Sequence, residues 1–89
     1  MIVSYDKSFS KALDRIKDSK VLSRIENCIR RAEISDSVSR VPNTKKLIGY
    51  SNYYRIKVGD YRIGFELLNF TEIRLIIVLH RKDIYKKFP

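Results

Sequence analysis

The segment Tyr54–Glu66 constrains the fold of this chain more than any other. Apolar and cationic residues alternate at period two from Tyr54 to Val58, the pattern breaks at Gly59-Asp60, and it resumes at Tyr61. A strand sends successive side chains to opposite faces, so Tyr54, Ile56 and Val58 share one face while Arg55 and Lys57 take the other. Beyond the turn, Tyr61, Ile63, Phe65 and Leu67 join the apolar face and Arg62 joins the cationic one. Such a hairpin must bury its apolar side against other elements. Its opposite side carries three fixed positive charges, a surface suited to a phosphate backbone.

The elements that could cover the apolar side lie mostly upstream. Ile2–Tyr5 reads as a short strand. Ser8–Lys17 has Phe9, Ala12/Leu13 and Ile16 at helical spacing, with Asp6 or Ser8 available as cap. Ser19 is placed to cap a second helix whose stripe is Val21/Leu22, Ile25, Cys28/Ile29 and Ala32. Ser35–Asn43, with its turn-forming residues and Pro42, reads as a loop, and Lys45–Gly49 as the approach to the hairpin. The hairpin strands are Tyr53–Val58 and Tyr61–Leu68. Asn69-Phe70-Thr71 turns into a third strand, Glu72–Leu79, which is apolar on both faces for several residues and so belongs in a central or doubly covered position. Arg81–Phe88 is a short helix or turn. The order predicts an α+β fold: an N-terminal strand, a two-helix hairpin, a three-stranded antiparallel meander and a short C-terminal helix, with the helices on one sheet face. At 89 residues the chain makes one domain, 1–89.

Composition narrows the partners. The net charge is +9, from 19 Lys and Arg against 10 Asp and Glu. Residues 1–44 contribute +3 and residues 45–89 contribute +6, so the excess follows the hairpin and the tail. That balance favours nucleic acid or an acidic protein partner. The longest apolar run is Leu75–Leu79, far short of a membrane span, and Met1–Asp6 lacks the features of a signal peptide, so the expectation is a cytoplasmic protein with no membrane partner. Cys28, the single cysteine, can form no internal disulfide and sits on a helical apolar stripe, which marks a core thiol. One Cys and the one His, His80, do not make a zinc cage, so no metal and no cofactor are expected.

Two segments resemble the RelE branch of the RelE/ParE toxin superfamily of bacterial and archaeal toxin–antitoxin systems. Lys46-Leu47-Ile48-Gly49 with Tyr53–Ile63 resembles the family's stretch before and through the central hairpin. His80-Arg81-Lys82-Asp83-Ile84-Tyr85 resembles its terminal His-Arg-x-x-(aliphatic)-Tyr pattern. The resemblance implies a small ribosome-dependent endoribonuclease that cuts messenger RNA in the decoding site, needs no metal, and is held inactive by a cognate antitoxin from a neighbouring gene. Ribosome and mRNA would be its targets, and operator DNA would be met only indirectly, through the antitoxin. The family's cationic hairpin residues fall on Arg55, Lys57 and Arg62, and its terminal Arg and Tyr on Arg81 and Tyr85. The sequence departs from the family at Ile48, where relatives often carry a basic or small polar residue, at Gly64, which replaces a common bulky apolar residue, and at Arg55, where some relatives have Lys.

Metal-independent RNA cleavage has a 2′-hydroxyl attack the adjacent phosphate through an extra-negative phosphorane. It needs in-line alignment, cations around the equatorial oxygens, and proton transfer at both ends. Arg62 and Arg81 suit charge stabilisation, because a guanidinium stays protonated and grips phosphate through parallel donors. Tyr85 is the proton-transfer candidate, since surrounding cations favour its anion, and Lys57 assists directly or through its field. Lys45, Lys46, Lys82, Lys86 and Lys87 are candidate RNA contacts. His80 has a near-neutral intrinsic pKa, but precedes Arg81 directly and is read as a supporting residue that orients the tail. Tyr50, Tyr53, Tyr54 and Tyr61 are potential stacking residues, with Tyr54 and Tyr61 on the core face instead. Two other readings stay open: a ParE-like toxin that inhibits DNA gyrase, and a toxin fold that has lost activity and only binds antitoxin. A cationic concave surface and short sheet edges also invite an acidic, amphipathic antitoxin segment.

Overall fold

The computed structural model describes residues 1–89. Strand β1 (Ile2–Tyr5) is followed by helices α1 (Lys7–Asp14) and α2 (Ser19–Ile34), a 3-10 turn at Val38–Arg40, strands β2 (Thr44–Lys46), β3 (Tyr53–Val58), β4 (Tyr61–Asn69) and β5 (Glu72–His80), and helix α3 (Arg81–Lys87). The five strands form one sheet in the order β1-β5-β4-β3-β2. The meander β3-β4-β5 is antiparallel, and β1 joins its far edge parallel to β5. Flanked by strands on both sides, β5 occupies the doubly covered position its apolar run implies.

The period-two pattern of the hairpin is realised in its register. Tyr54 pairs with Phe65, Ile56 with Ile63 and Val58 with Tyr61, whereas Arg55 pairs with Gly64 and Lys57 with Arg62. Gly59 has φ +59 at the first of the two turn residues, the position at which a II′ hairpin turn takes glycine. The apolar set meets α1 and α2 in a core of Phe9, Ala12, Ile16, Ile25, Ala32, Val41, Ile56, Val58, Ile63, Phe65, Ile73, Leu75 and Val78. Tyr54 stacks on Phe65 at 5.2 Å between centroids, so it packs against the core as its face requires. Between β4 and β5 the register slips after Gly64: Gly64 pairs with Ile77 and Phe65 with Leu75, leaving Ile76 of β5 as an extra residue. This bulge lets Ile73, Leu75 and then Val78 face the helices, and turns Ile77 and Leu79 to the other side.

Four local expectations need correction. The lysines before the hairpin do not merely approach it, because Thr44–Lys46 is an edge strand, antiparallel to β3, with Lys45 opposite Arg55. Asp18, not Ser19, caps α2, accepting from Lys20 N at 2.9 Å. Helix α1 stops at Asp14 rather than Lys17, and the next amides bond three residues back, Arg15 to Ala12 and Ile16 to Leu13. Finally, the helices do not all share one face. α1 and α2 cover the apolar side, but α3 folds beneath the opposite side, where Ile84 and Phe88 are buried apart from the main core. The reason is Gly64: with no side chain there, the Phe88 ring lies directly on the strand, and an added Cβ would sit 2.7 Å from its Cγ and Cδ2. The bulky residue that the family pattern puts at this position is replaced in space by Phe88.

Candidate functional site

The cationic face of the hairpin ends in a shallow depression of about 290 Å³ lined by Asn43, Thr44, Lys45, Arg55, Lys57, Arg62 and Tyr85. Three elements build it. β3 and β4 present Arg55, Lys57 and Arg62 by alternation, with Lys57 directly across from Arg62. β2 brings Lys45 opposite Arg55. α3 brings Tyr85 from the other end of the chain, and burial of Ile84 and Phe88 on either side of it sets the helix so that Tyr85 stands over the strands, 62% exposed.

Two interactions hold the charged groups in place. The Arg55 guanidinium lies over the Tyr85 ring, 4.7 Å from its centroid, a cation–π contact that orders both side chains. Arg62 Nη1 donates to the carbonyls of Gly59 at 2.8 Å and Tyr61 at 2.9 Å, so the hairpin turn clamps this guanidinium. Neither residue forms an ion pair; the two in the molecule are Arg30–Glu26 and Arg74–Glu66. No carboxylate lines the depression. Four cations facing one another without counter-charge form a site for an anion.

The remaining residues singled out in the sequence lie around this centre. Arg81 opens α3, exposed, with its amide bonded to the Asp60 carbonyl at 2.8 Å. It stands one helical turn before Tyr85, at the hairpin-turn end of the site, and is outside the lining of the depression. His80 caps α3, its Nδ1 accepting from Lys82 N at 3.2 Å, while its ring packs edge-on to Tyr61. Its place is the junction of β5 and α3, not the depression. Lys46 lines a neighbouring groove with Leu47, Ile48, Tyr50 and Phe88. Lys82, Lys86 and Lys87 lie exposed on α3, outside the depression. Asn43 and Thr44 line the site without having been singled out. The signal for them was faint: Asn43 has φ +58, one of the few conformations in which asparagine replaces glycine, and it ends the loop that delivers β2.

A β-sheet backed by two helices, with an uncompensated cationic hollow roofed by a C-terminal helix, is the scaffold of the small toxins of antitoxin–toxin pairs, as comparison with known proteins bears out. A family model described as the ParE toxin of the type II toxin–antitoxin system, parDE, matches residues 3–85. Toxin RelE3 of Methanocaldococcus jannaschii is 42% identical over 90 residues, covering 100% of both chains. A chain in the crystal structure of the RelB–RelE antitoxin–toxin complex from Methanococcus jannaschii superposes with a TM-score of 0.79 at 41% identity, over 97% of this chain and 99% of that one. The fold also matches the archaeal RelE–RelB complex from Pyrococcus horikoshii, with a TM-score of 0.71 at 22% identity, over 90% and 93% of the two chains. The chain belongs to the RelE/ParE superfamily, in its RelE-like branch, and is a toxin of a type II toxin–antitoxin system.

Proposed function

We propose that this toxin is an mRNA interferase: a ribosome-dependent, metal-independent endoribonuclease, with residues 1–89 acting as one domain. The observation that carries the reading is the convergence of Arg55, Lys57, Arg62 and Tyr85 on one hollow without a carboxylate. Cleavage proceeds by attack of a 2′-hydroxyl on the adjacent phosphate, giving a cyclic phosphate and releasing the 5′-oxygen of the next nucleotide. The clamped Arg62 and the neighbouring Lys57 meet the charge that develops on the phosphorane oxygens, and Arg62, being held in place, needs little reorganisation as it forms. Tyr85 handles a proton at the nucleophile or leaving oxygen, kept in position by Arg55. Arg81, at the rim, draws in a flanking phosphate, as do Lys45, Lys46, Lys82, Lys86 and Lys87. The hollow is open and its proton-transfer group is a phenol, so the toxin by itself neither bends the RNA nor supplies a strong base. A ribosome that holds the message in line supplies the missing alignment, worth several orders of magnitude. Action there puts the protein in the cytoplasm.

A cognate antitoxin completes the system. The relative at 41% identity is seen bound to RelB, and the surplus charge here suits an acidic segment that lies over the hollow and masks it. The family model is named for ParE, which keeps gyrase inhibition as the second reading. Purified toxin in a translating extract separates the two. Cuts within codons of ribosome-bound message, reduced about 10²- to 10³-fold by Arg62→Ala and about 10²-fold or more by Tyr85→Phe, support the nuclease. Intact message with blocked supercoiling supports the ParE-like action. Undiminished cleavage by both variants refutes the assignment of the site.

A further inference from the structure

A second hollow lies on the other side of the sheet edge from the first. It has a volume of about 200 Å³, and its polar lining is Arg24, Asn27 and Arg31 of α2, Asn43, and Lys57 of β3. Its three cations, Arg24, Arg31 and Lys57, form no ion pair, and no carboxylate lines it. Like charges brought together without compensation repel one another, so the arrangement gains most from an anion seated among them. Asn27 and Asn43 add amide groups able to donate to its oxygens.

The two hollows communicate. Asn43 and Lys57 line both of them. The cause lies in the edge strand: β2 begins at Thr44, opposite Ile56, so beyond that pair β3 has no strand on its outer side, while β4 still flanks it on the inner one. The positive φ of Asn43 turns the chain in the same place, and its carbonyl accepts from Lys57 N at 2.9 Å. Lys57 therefore stands at the corner where β2 begins, and its side chain borders both hollows. Arg24 reaches the same corner from α2: its Nη1 would be 2.6 Å from a Cβ at Gly59, so the absence of a side chain in the hairpin turn makes room for this guanidinium.

We propose that Arg24, Arg31, Asn27 and Asn43 form an RNA-phosphate subsite continuous, through Lys57, with the cleavage site. It takes a backbone phosphate flanking the scissile one, or a phosphate of ribosomal RNA beside it. The proposal rests on the nuclease reading for the identity of the RNA, but its own content is phosphate binding, which is measured without cleavage. The shared lysine favours RNA over a protein carboxylate, because a chain with a phosphate at every nucleotide occupies both hollows at once.

The test compares the wild type with Arg24→Gln/Arg31→Gln, an exposed pair of changes, and with Arg24→Lys/Arg31→Lys, which keeps the charge. Binding of a short 2′-O-methyl RNA, which lacks the nucleophile, is followed by fluorescence anisotropy across a salt series. Losing one phosphate contact lowers the log–log salt slope by about 0.7, with the lysine pair restoring it. If the free RNA is bound equally by all three proteins but co-sedimentation with empty ribosomes falls for the glutamine pair, the phosphate belongs to ribosomal RNA, and the subsite stands. If both RNA measurements are unchanged, the proposal is overturned, including the case in which only antitoxin binding weakens. Should the wild type fail to cleave message while the slope difference persists, the nuclease reading falls and the subsite does not.

Discussion

Replacing Gly64 by alanine tests how the C-terminal helix is seated, and with it the position of Tyr85. An added Cβ would lie 2.7 Å from two carbons of the Phe88 ring, well inside van der Waals contact. Phe88 is only 7% exposed, so the ring has little space to retreat without lifting α3. Forced overpacking of this kind costs about 1–3 kcal/mol. Removing a strand glycine returns roughly 0.5–1 kcal/mol of backbone entropy. The expected net loss is about 1–2 kcal/mol, which lowers Tm by roughly 5–15 °C in a domain of this size. The four proteins of a double-mutant cycle, wild type, Gly64→Ala, Phe88→Ala and both, are unfolded thermally and in urea. With the ring removed, the alanine has nothing to strike, so in the Phe88→Ala background Gly64→Ala should be neutral or slightly stabilising. Equal losses in both backgrounds, or a Gly64→Ala protein as stable as the wild type, would refute the argument that Phe88 fills the place of the missing side chain.

Two further expectations concern charge and burial. Glu66 accepts from Arg74 Nη2 at 2.7 Å and from Asn52 Nδ2 at 3.0 Å on the sheet face opposite the main core, while Arg74 Nε is buried without a partner. Glu66→Ala strands these donors and should cost about 1–3 kcal/mol in urea unfolding, whereas Glu26→Ala, which breaks the exposed Glu26–Arg30 pair on α2, should cost less than about 0.5 kcal/mol; similar losses for the two would contradict this ranking. Burial raises the Cys28 thiol above its ordinary value, against the opposing pull of Arg31 and Arg24. Since only the thiolate reacts, iodoacetamide at pH 8 should modify the native protein more slowly than the urea-unfolded chain, and equal rates would mean that the thiol is not shielded.

Much of the site could be read along the chain because a strand alternates strictly. Once Tyr54, Ile56 and Val58 must be buried, Arg55 and Lys57 have no choice of face, and a two-residue turn at Gly59-Asp60 then sets Arg62 across from Lys57. The helical stripes of α1 and α2 are equally local, because a period of 3.6 residues shows within a dozen positions. The edge strand β2 was hidden for the converse reason: Thr44-Lys45-Lys46 has no apolar alternation, and its pairing is decided by what β3 leaves open. The bulge at Ile76 was hidden too, since a run of five aliphatic residues looks the same in either register.

Local chemistry along the chain thus settled which side chains are charged and which face of the hairpin they occupy, and pointed to a short helix or turn after β5. Their meeting was a matter of long-range packing. Tyr85 reaches Arg55 because α3 crosses to the sheet face that α1 and α2 leave open, and it can do so because Gly64 leaves a gap fitting a phenyl ring from residue 88. A vacancy on one strand and the ring that fills it, 24 positions apart along the chain, carry no shared period or motif. Their complementarity exists only once the two surfaces touch.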